Sequence, residues 1–233
     1  AKRRAQTIAC LNNIKQLQIC ASLYAADSFD CLPPNNSIAA LSDAIVAQGY
    51  SWCTNLARTH LTPEGIIYGV LYEYNTSLGI YRCPSDWSQV EDSSGEQLGI
   101  RRWRSYNLSQ SINGAPQPVS WIGSYVPSFR KLSQINSPGP IDCLTFIEVH
   151  EDSIYDALFG IPPQAETGFI RVWWDVPASR HDQSAVVSFA DGHAEAWRWR
   201  VPKKVHQPYA TQMVPDEEAA DYDRVQRAIR QSW

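Results

Sequence analysis

The chain has 233 residues, of which 44% are hydrophobic and 19% are charged, and its formal net charge at pH 7 is -4. This length and composition indicate a folded protein with a substantial core rather than a disordered chain. The negative charge and the absence of zinc-finger and phosphate-loop patterns argue against nucleic acid as a partner.

The first predicted element is a long amphipathic helix over residues 5–26, a stretch without Gly or Pro. Pro33 and Pro34 prevent it from continuing. The positions that share one helical face are Cys10, Ile14, Leu17, Ala21 and Tyr24. We expect Cys10 to point into the head of the protein. The residues expected to pack the helix against its neighbours are Ile8, Leu11, Ile14 and Leu17.

The N-terminal segment is basic and has no acid before Asp27. Its cations are Lys2, Arg3, Arg4 and Lys15. This arrangement is expected just outside an apolar segment that has been removed, and the sequence itself contains no apolar run of about 18 residues or more. We therefore expect the chain to be the soluble part of a longer, membrane-anchored protein.

The middle of the chain is predicted to be largely irregular. We predict a short helix over residues 37–50. Residues 69–86 are predicted as a turn or short helix followed by a brief strand that stops at Cys83-Pro84. Further along we predict a polar loop, a strand and a loop rich in Pro and Gly, at residues 88–101, 104–112 and 113–127.

The last third of the chain carries the strongest strand signals. Residues 141–150 are rich in β-branched and aromatic side chains and predict a central strand. Two alternating runs within residues 184–199 flank Asp191-Gly192, and Asp-Gly between such runs predicts a β-hairpin. Residues 215–233 have acids early and arginines late, as a short terminal helix prefers. The order of elements is an α+β pattern.

The pair His181 and Asp191 admits two interpretations. Imidazole and carboxylate are ordinary acid–base or metal-binding partners, which would indicate a hydrolase. Alternatively, His181 anchors the start of the hairpin, Asp191 accepts backbone hydrogen bonds in the turn and Gly192 supplies a positive φ. We favour the structural interpretation, because no nucleophile, glycine elbow or second ligand lies at recognisable spacing, and we expect no enzymatic activity.

Four tryptophans also have two candidate uses: Trp173, Trp174, Trp197 and Trp199. Trp197 and Trp199 are two residues apart, share one face of a strand and could stack against sugars. We favour core packing against the N-terminal helix, because aromatic side chains dominate core energetics.

The six cysteines, at positions 10, 20, 31, 53, 83 and 143, contain no C-x-x-C pair. A zinc site or a thioredoxin-type motif therefore has little support, and disulfides formed in an oxidising compartment become plausible. Cys53–Cys83 is the preferred bridge, because both residues lie in connecting segments that a covalent link would stabilise. Free buried thiols are the alternative.

Three groups of residues occur in a recognisable order. The first is AKRRAQTIACLNNIKQLQICASLYAAD, the second is YRCPSD followed by SYN and FIEVHEDSIYD, and the third is the spacing of His181, Asp191 and Gly192. Over nearly the whole chain they resemble the prepilin-type processing-associated H-x(9)-DG proteins, a pseudopilin-like family. This chain has Glu-Val-His at residues 148–150, where a commoner form has Asp-Glu-His. The motif residues of YRCPSD are Cys83, Pro84 and Asp86.

The resemblance implies a pilin-like α+β fold in which a long N-terminal amphipathic helix packs on an antiparallel β-sheet with extended irregular loops. It implies one domain, residues 1–233, made of a helix, an α/β head and a C-terminal helical tail, at residues 1–30, 31–212 and 213–233. The implied role is a non-enzymatic structural subunit of a type II secretion-like or type IV pilus-like filament. The alternative is an extracytoplasmic carbohydrate- or polymer-binding module displayed on a pilin-type anchor.

The resemblance also implies partners and location. A prepilin peptidase would cleave and methylate the full-length precursor, and an apolar helix would hold it in the inner membrane with its head in the periplasm. Its partners would be other pilin-like subunits and the secretion machinery.

The acids of FIEVHEDSIYD suggest a calcium loop, because Ca²⁺ prefers hard oxygen ligands and calcium is conceivable from related pseudopilins. The candidate ligands are Glu148, Glu151, Asp152 and Asp156. The spacing differs from an EF-hand loop and lacks its central glycine. The alternative is a solvated turn after the strand, with no cofactor.

Overall fold

A computed structural model describes residues 2–36, 51–54, 56–114, 127–163, 168 and 170–232. The α-helices are α1 (Lys2–Asp27), α2 (Glu64–Ile67) and α3 (Ala219–Ala228). The strands are β1 (Gln89–Glu91), β2 (Gln97–Arg101), β3 (Tyr106–Ser109), β4 (Leu144–Glu148), β5 (Leu158–Phe159), β6 (Val172–Trp173), β7 (Ser184–Phe189), β8 (Ala194–Arg198) and β9 (Gln212–Met213). Single 3-10 turns lie at Tyr72–Tyr74, Leu78–Tyr81, Leu132–Gln134 and Asp216–Glu218.

A five-stranded sheet forms the centre, in the order β5-β3-β4-β7-β8. Its pairs are antiparallel except for β3 with β5, which run parallel. Two small antiparallel sheets, β1-β2 and β6-β9, lie outside it. The helices and the largely antiparallel sheet confirm the predicted α+β class.

Helix α1 packs on one face of the central sheet, as its apolar face predicts. Cys10, Ile14 and Leu17 are fully buried and join a core cluster with sheet residues. Ile8 was expected to pack there too, but it is 66% exposed, because it lies on the side of the helix opposite Leu17. Within the described ranges, no helix has both the length and the apolarity that a bilayer crossing requires.

The other face of the sheet is covered by α3, where Tyr222 and Val225 are buried. Trp173, Trp197 and Trp199 belong to this second cluster, so the expectation that they pack on the N-terminal helix is wrong. Strand alternation shows which side chains share a face, but it does not show which helix covers that face.

The late strands agree with the sequence prediction. β4 lies between β3 and β7, and β7 pairs with β8 from Ser184 opposite Arg198 to Ser188 opposite Ala194. Gly192 has φ +98° in the connecting turn, where a residue with a Cβ would be strained. The predicted central strand, hairpin and C-terminal helix are confirmed.

Two middle predictions are wrong. Residues 88–101 form the β1-β2 hairpin instead of a loop, because the Asp92 carboxylate accepts N–H bonds from Ser94 and Glu96 and organises the turn. The brief strand before Cys83-Pro84 is a 3-10 turn, Leu78–Tyr81, packed against α1. The predicted helix over 37–50 and most of the loop over 113–127 lie outside the described residues.

Truncation of Leu17 tests the packing of α1 on the central sheet. Leu17→Ala is expected to lower the free energy of unfolding by about 2–5 kcal/mol, because it opens a cavity between helix and sheet. Ile19→Ala, in the same helix but 48% exposed, should change it by no more than about 0.5 kcal/mol. Urea unfolding followed by circular dichroism measures both, and equal losses would contradict the packing of α1.

Candidate functional site

The side chain of His181 is buried between the sheet and α1. Its backbone N–H donates to Ser184 O at 3.2 Å just before β7, and the positive φ angles of Asp182 and Gln183 make the turn tight. Its Nδ1 atom lies 3.3 Å from Thr7 Oγ1. Its Nε2 atom lies 3.3 Å from Cys83 Sγ and 3.3 Å from Glu148 Oε2. His181 therefore joins α1, the CPSD segment and β4.

Cys83 is bonded to Cys10, so the expected Cys53–Cys83 bridge is wrong. The packing of α1 brings the two Cα atoms to 5.3 Å, within the ordinary range for a disulfide. The bond spans 73 residues, and a loop of this size corresponds to about 4 kcal/mol of stabilisation in the chain-entropy account. Cys53 is buried and is not part of a disulfide.

The CPSD segment is a β-turn held by its own side chains. The N–H of Asp86 donates to Cys83 O at 3.0 Å, and Pro84 occupies the second position, where its fixed φ is favourable. Asp86 Oδ2 accepts a hydrogen bond from Ser105 Oγ at 2.6 Å. This turn places the Cys83 sulfur beside α1.

Arg180 lies next to His181 and is surrounded by carboxylates. Its Nη1 is 2.9 Å from Glu148 Oε1, and its Nη2 is 2.7 Å from Glu151 Oε2 and 3.4 Å from Asp86 Oδ2. Burial alone raises the pKa of Asp86, but Arg180 and the serine hydroxyls outweigh it, and the pKa of Asp86 falls below its usual value. The pKa of Glu151 is lowered for the same reason, with Arg180 again opposing burial.

Asp191 and His181 do not form a pair. They lie beyond opposite ends of β7, whose six residues span about 20 Å. Asp191 Oδ1 instead accepts the backbone N–H of His193 at 3.1 Å and lies 2.6 Å from the Nδ1 atom of the same residue. An acid–base pair of His181 and Asp191 is therefore not formed, and each residue lies at one end of the hairpin's first strand.

The structure does not bring the four candidate calcium ligands together as one site. Glu148 and Glu151 both face Arg180, whereas the Asp152 carboxylate is half-exposed beside His150. Asp156 lies further along the chain, near buried Asp175, whose pKa is raised first by burial and then by the charge of Asp156. Arg180 occupies the place between Glu148 and Glu151 where a calcium ion shared by the two carboxylates would lie.

A different group of metal-binding atoms comes together within the described ranges. The Sγ atoms of Cys10 and Cys83, an oxygen of Glu148 and a ring nitrogen of His181 all lie within 4.8 Å of one another. Sequence spacing missed this group, because its members are far apart in the chain. The available signal was the set of ordered motifs, since each of the three contributes a member.

The tryptophans do not share an open face. Trp173, Trp197 and Trp199 are buried, Trp174 is half-buried, and the Arg224 guanidinium covers the Trp197 ring at 4.1 Å. A groove of about 580 Å³ lies beside this ring and is lined by Phe189, His193, Glu195, Arg224 and Arg227, among others. A stacking platform built from these four side chains is not formed.

Comparisons with family models, curated proteins and solved structures found no match to this chain.

Replacement of Arg180 tests the carboxylate cluster. Arg180→Met should lower the free energy of unfolding at pH 7 by about 3–5 kcal/mol, because it leaves buried Glu148 without its countercharge. Arg171→Met, which breaks the exposed pair with Asp223, should cost only about 0–1 kcal/mol. Denaturant unfolding of both variants measures the difference, and a loss for Arg180→Met no larger than the control would contradict the assignment.

Replacement of Asp175 should stabilise the protein at neutral pH, whereas replacement of Arg180 should destabilise it. Burial, and then the charge of Asp156, hold the pKa of Asp175 well above its usual value, so the folded chain retains this proton to a higher pH than the unfolded chain, in which an Asp ionises near pH 4. Wild-type stability is therefore lost as pH rises above about 4, and Asp175→Asn should avoid that loss while its oxygen still accepts the Gly160 N–H.

Unfolding of both chains over the range from about pH 4 to pH 7 measures this effect. The stability of Asp175→Asn relative to wild type should increase with pH. A relative stability that falls as pH rises would show that Asp175 is ionised in the folded protein.

Proposed function

We propose that the protein is a non-enzymatic, pilin-like structural subunit of a type II secretion-like or type IV pilus-like filament. Its head would lie in the periplasm, and an apolar segment of the full-length precursor, processed by a prepilin peptidase, would anchor it in the inner membrane. The observation that carries this proposal is the two-sided character of α1. One face fixes the helix to the sheet, and the other presents apolar side chains to solvent.

The outer face of α1 has more apolar surface than the fold requires. Ile8, Ile19 and Leu23 are 66%, 48% and 46% exposed, and they fall within about 60° of one another around the helix. Single exposed apolar residues are common, but these three lie on one side of one helix and form a stripe, interrupted by exposed Asn12 and Lys15, that suits contact with another apolar surface. In a filament that surface would be the α1 helix of a neighbouring copy.

The first turn of α1 also suits a position next to a membrane. It contains Lys2, Arg3 and Arg4 and no acid. Near a bilayer these cations would interact favourably with anionic lipid headgroups.

The other two candidate functions have weaker support. A sugar-binding module needs exposed aromatic faces, and Trp173, Trp197 and Trp199 are buried. A hydrolase built on His181 and Asp191 needs the two side chains in contact, and β7 separates them.

Cell fractionation of the source bacterium tests the proposal. The full-length protein is expected in the membrane fraction and in surface filaments released by shearing, and loss of the prepilin peptidase should leave only unprocessed precursor in the membrane. Ile19→Asp should remove the protein from the sheared fraction, because it places a charge in the helix–helix contact.

Ile170→Asp is the matched control, since Ile170 is 55% exposed but lies outside α1. It should leave the sheared fraction unchanged. A protein that matures without the peptidase, or that is found neither in the membrane fraction nor in sheared filaments, would overturn the proposal.

A further inference from the structure

We propose that Cys10, Cys83, His181 and Glu148 form a zinc site when the two cysteines are thiols. The ligands would be two thiolate sulfurs, the imidazole Nε2 and one carboxylate oxygen, a set that favours tetrahedral Zn²⁺. All four side chains are buried, and their ligand atoms lie within 4.8 Å of one another. The proposal is independent of the filament role.

The distances already resemble a tetrahedral site. Zinc bonds of about 2.0 Å to nitrogen and oxygen and about 2.3 Å to sulfur give ligand–ligand edges of about 3.3–3.8 Å. His181 Nε2 is 3.3 Å from Glu148 Oε2 and 3.3 Å from Cys83 Sγ. When the disulfide is reduced, the two sulfur atoms can move apart to the length of one tetrahedral edge, and the four ligand atoms then form a tetrahedron.

The hydrogen bonds around His181 leave Nε2 available as a ligand. Thr7 Oγ1 donates its hydrogen to Arg3 O at 3.0 Å, so its lone pairs can accept a hydrogen bond from Nδ1–H of His181 at 3.3 Å. The Nε2 lone pair then faces a sulfur and a carboxylate oxygen, which are also acceptors. Three acceptors that converge require a proton or a cation between them, and a metal ion satisfies all three.

Neighbouring groups hold the other ligands in position. Arg180 Nη1 binds Glu148 Oε1 at 2.9 Å, which leaves Oε2 directed towards His181. The Ser85 N–H donates to Cys83 Sγ at 3.3 Å, a contact that stabilises a thiolate. Arg180 is shared with Glu151 and Asp86, so Zn²⁺ would supply the positive charge that the two thiolates require.

The disulfide and the zinc ion would exclude each other, because each needs the same two sulfur atoms. The chain is synthesised with free thiols, so zinc can bind before the disulfide forms. Binding releases the two thiol protons to solvent, with no change in oxidation state. Reduction of the disulfide by a phosphine also opens the site: the S–S bond breaks, two thiols form, and the phosphine takes an oxygen from water.

Metal analysis of the full chain tests the proposal. The protein is unfolded with a phosphine reductant, refolded anaerobically with Zn²⁺, desalted and analysed by mass spectrometry for bound metal. We expect one zinc ion per reduced chain and essentially none on the disulfide-bonded chain. Refolding with Co²⁺ should give thiolate-to-cobalt charge-transfer bands and the d–d absorption of a tetrahedral site.

Variants identify the ligands. Cys10→Ser and His181→Ala should lose the zinc, whereas Cys20→Ser, which removes another buried cysteine of α1, should keep it. Thr7→Val should weaken zinc affinity about 10- to 100-fold, because it removes the hydrogen bond that orients the imidazole. Circular dichroism of each refolded variant checks that it is folded.

Two results would overturn the proposal. One is a folded, reduced wild-type chain that binds no zinc, a comparison that depends on no substitution. The other is zinc or cobalt binding that persists unchanged in Cys10→Ser and His181→Ala, which would place the metal on other side chains.

Discussion

The bond between Cys10 and Cys83 fixes the long N-terminal helix to the turn that precedes the central strands. Without that attachment, α1 would depend on apolar packing and on side-chain hydrogen bonds, such as those that Asn13 donates to Gly79 O and Arg82 O. With it, Thr7, Cys83 and Glu148 are held around one imidazole, although they come from a helix, a turn and a strand. The geometry around His181 therefore follows from where α1 sits.

The central sheet has a separate core on each of its two faces. On one face, Val186 and Phe146 pack with α1, whose opposite side carries the exposed apolar stripe. On the other face, the tryptophans and α3 make a second core, and buried Lys203, in the segment after β8, binds Asp221 of α3 at 2.6 Å. In the proposed filament, this second core would keep the head folded while the outer face of α1 contacts a neighbouring subunit.

The sequence predicts elements best where the local signal is dense. The helix 5–26 and the hairpin 184–199 have clear periodicity and turn residues, and both are confirmed. The sequence prediction misses the β1-β2 hairpin because its strands are short and lie in a polar stretch, and Leu98 and Ile100, which alternate along β2, are both exposed and so mark no buried face. The sequence could not predict the disulfide or the cluster around His181, because both depend on how α1 packs against residues more than 70 positions away in the chain.

The number of residues between His181 and Asp191 matches the length of one strand and its two turns. It contains a tight turn, the six residues of β7 and a second turn, so its length sets which side chains of β7 face α1. Val186 faces that helix, whereas Ala185 and Val187 face α3. Adding or removing one residue inside β7 would move every following side chain of the strand to the opposite face of the sheet. Ser188 would then face α3, and Val187 would face α1 and His181. The spacing itself, and not only its end residues, is thus part of the fold.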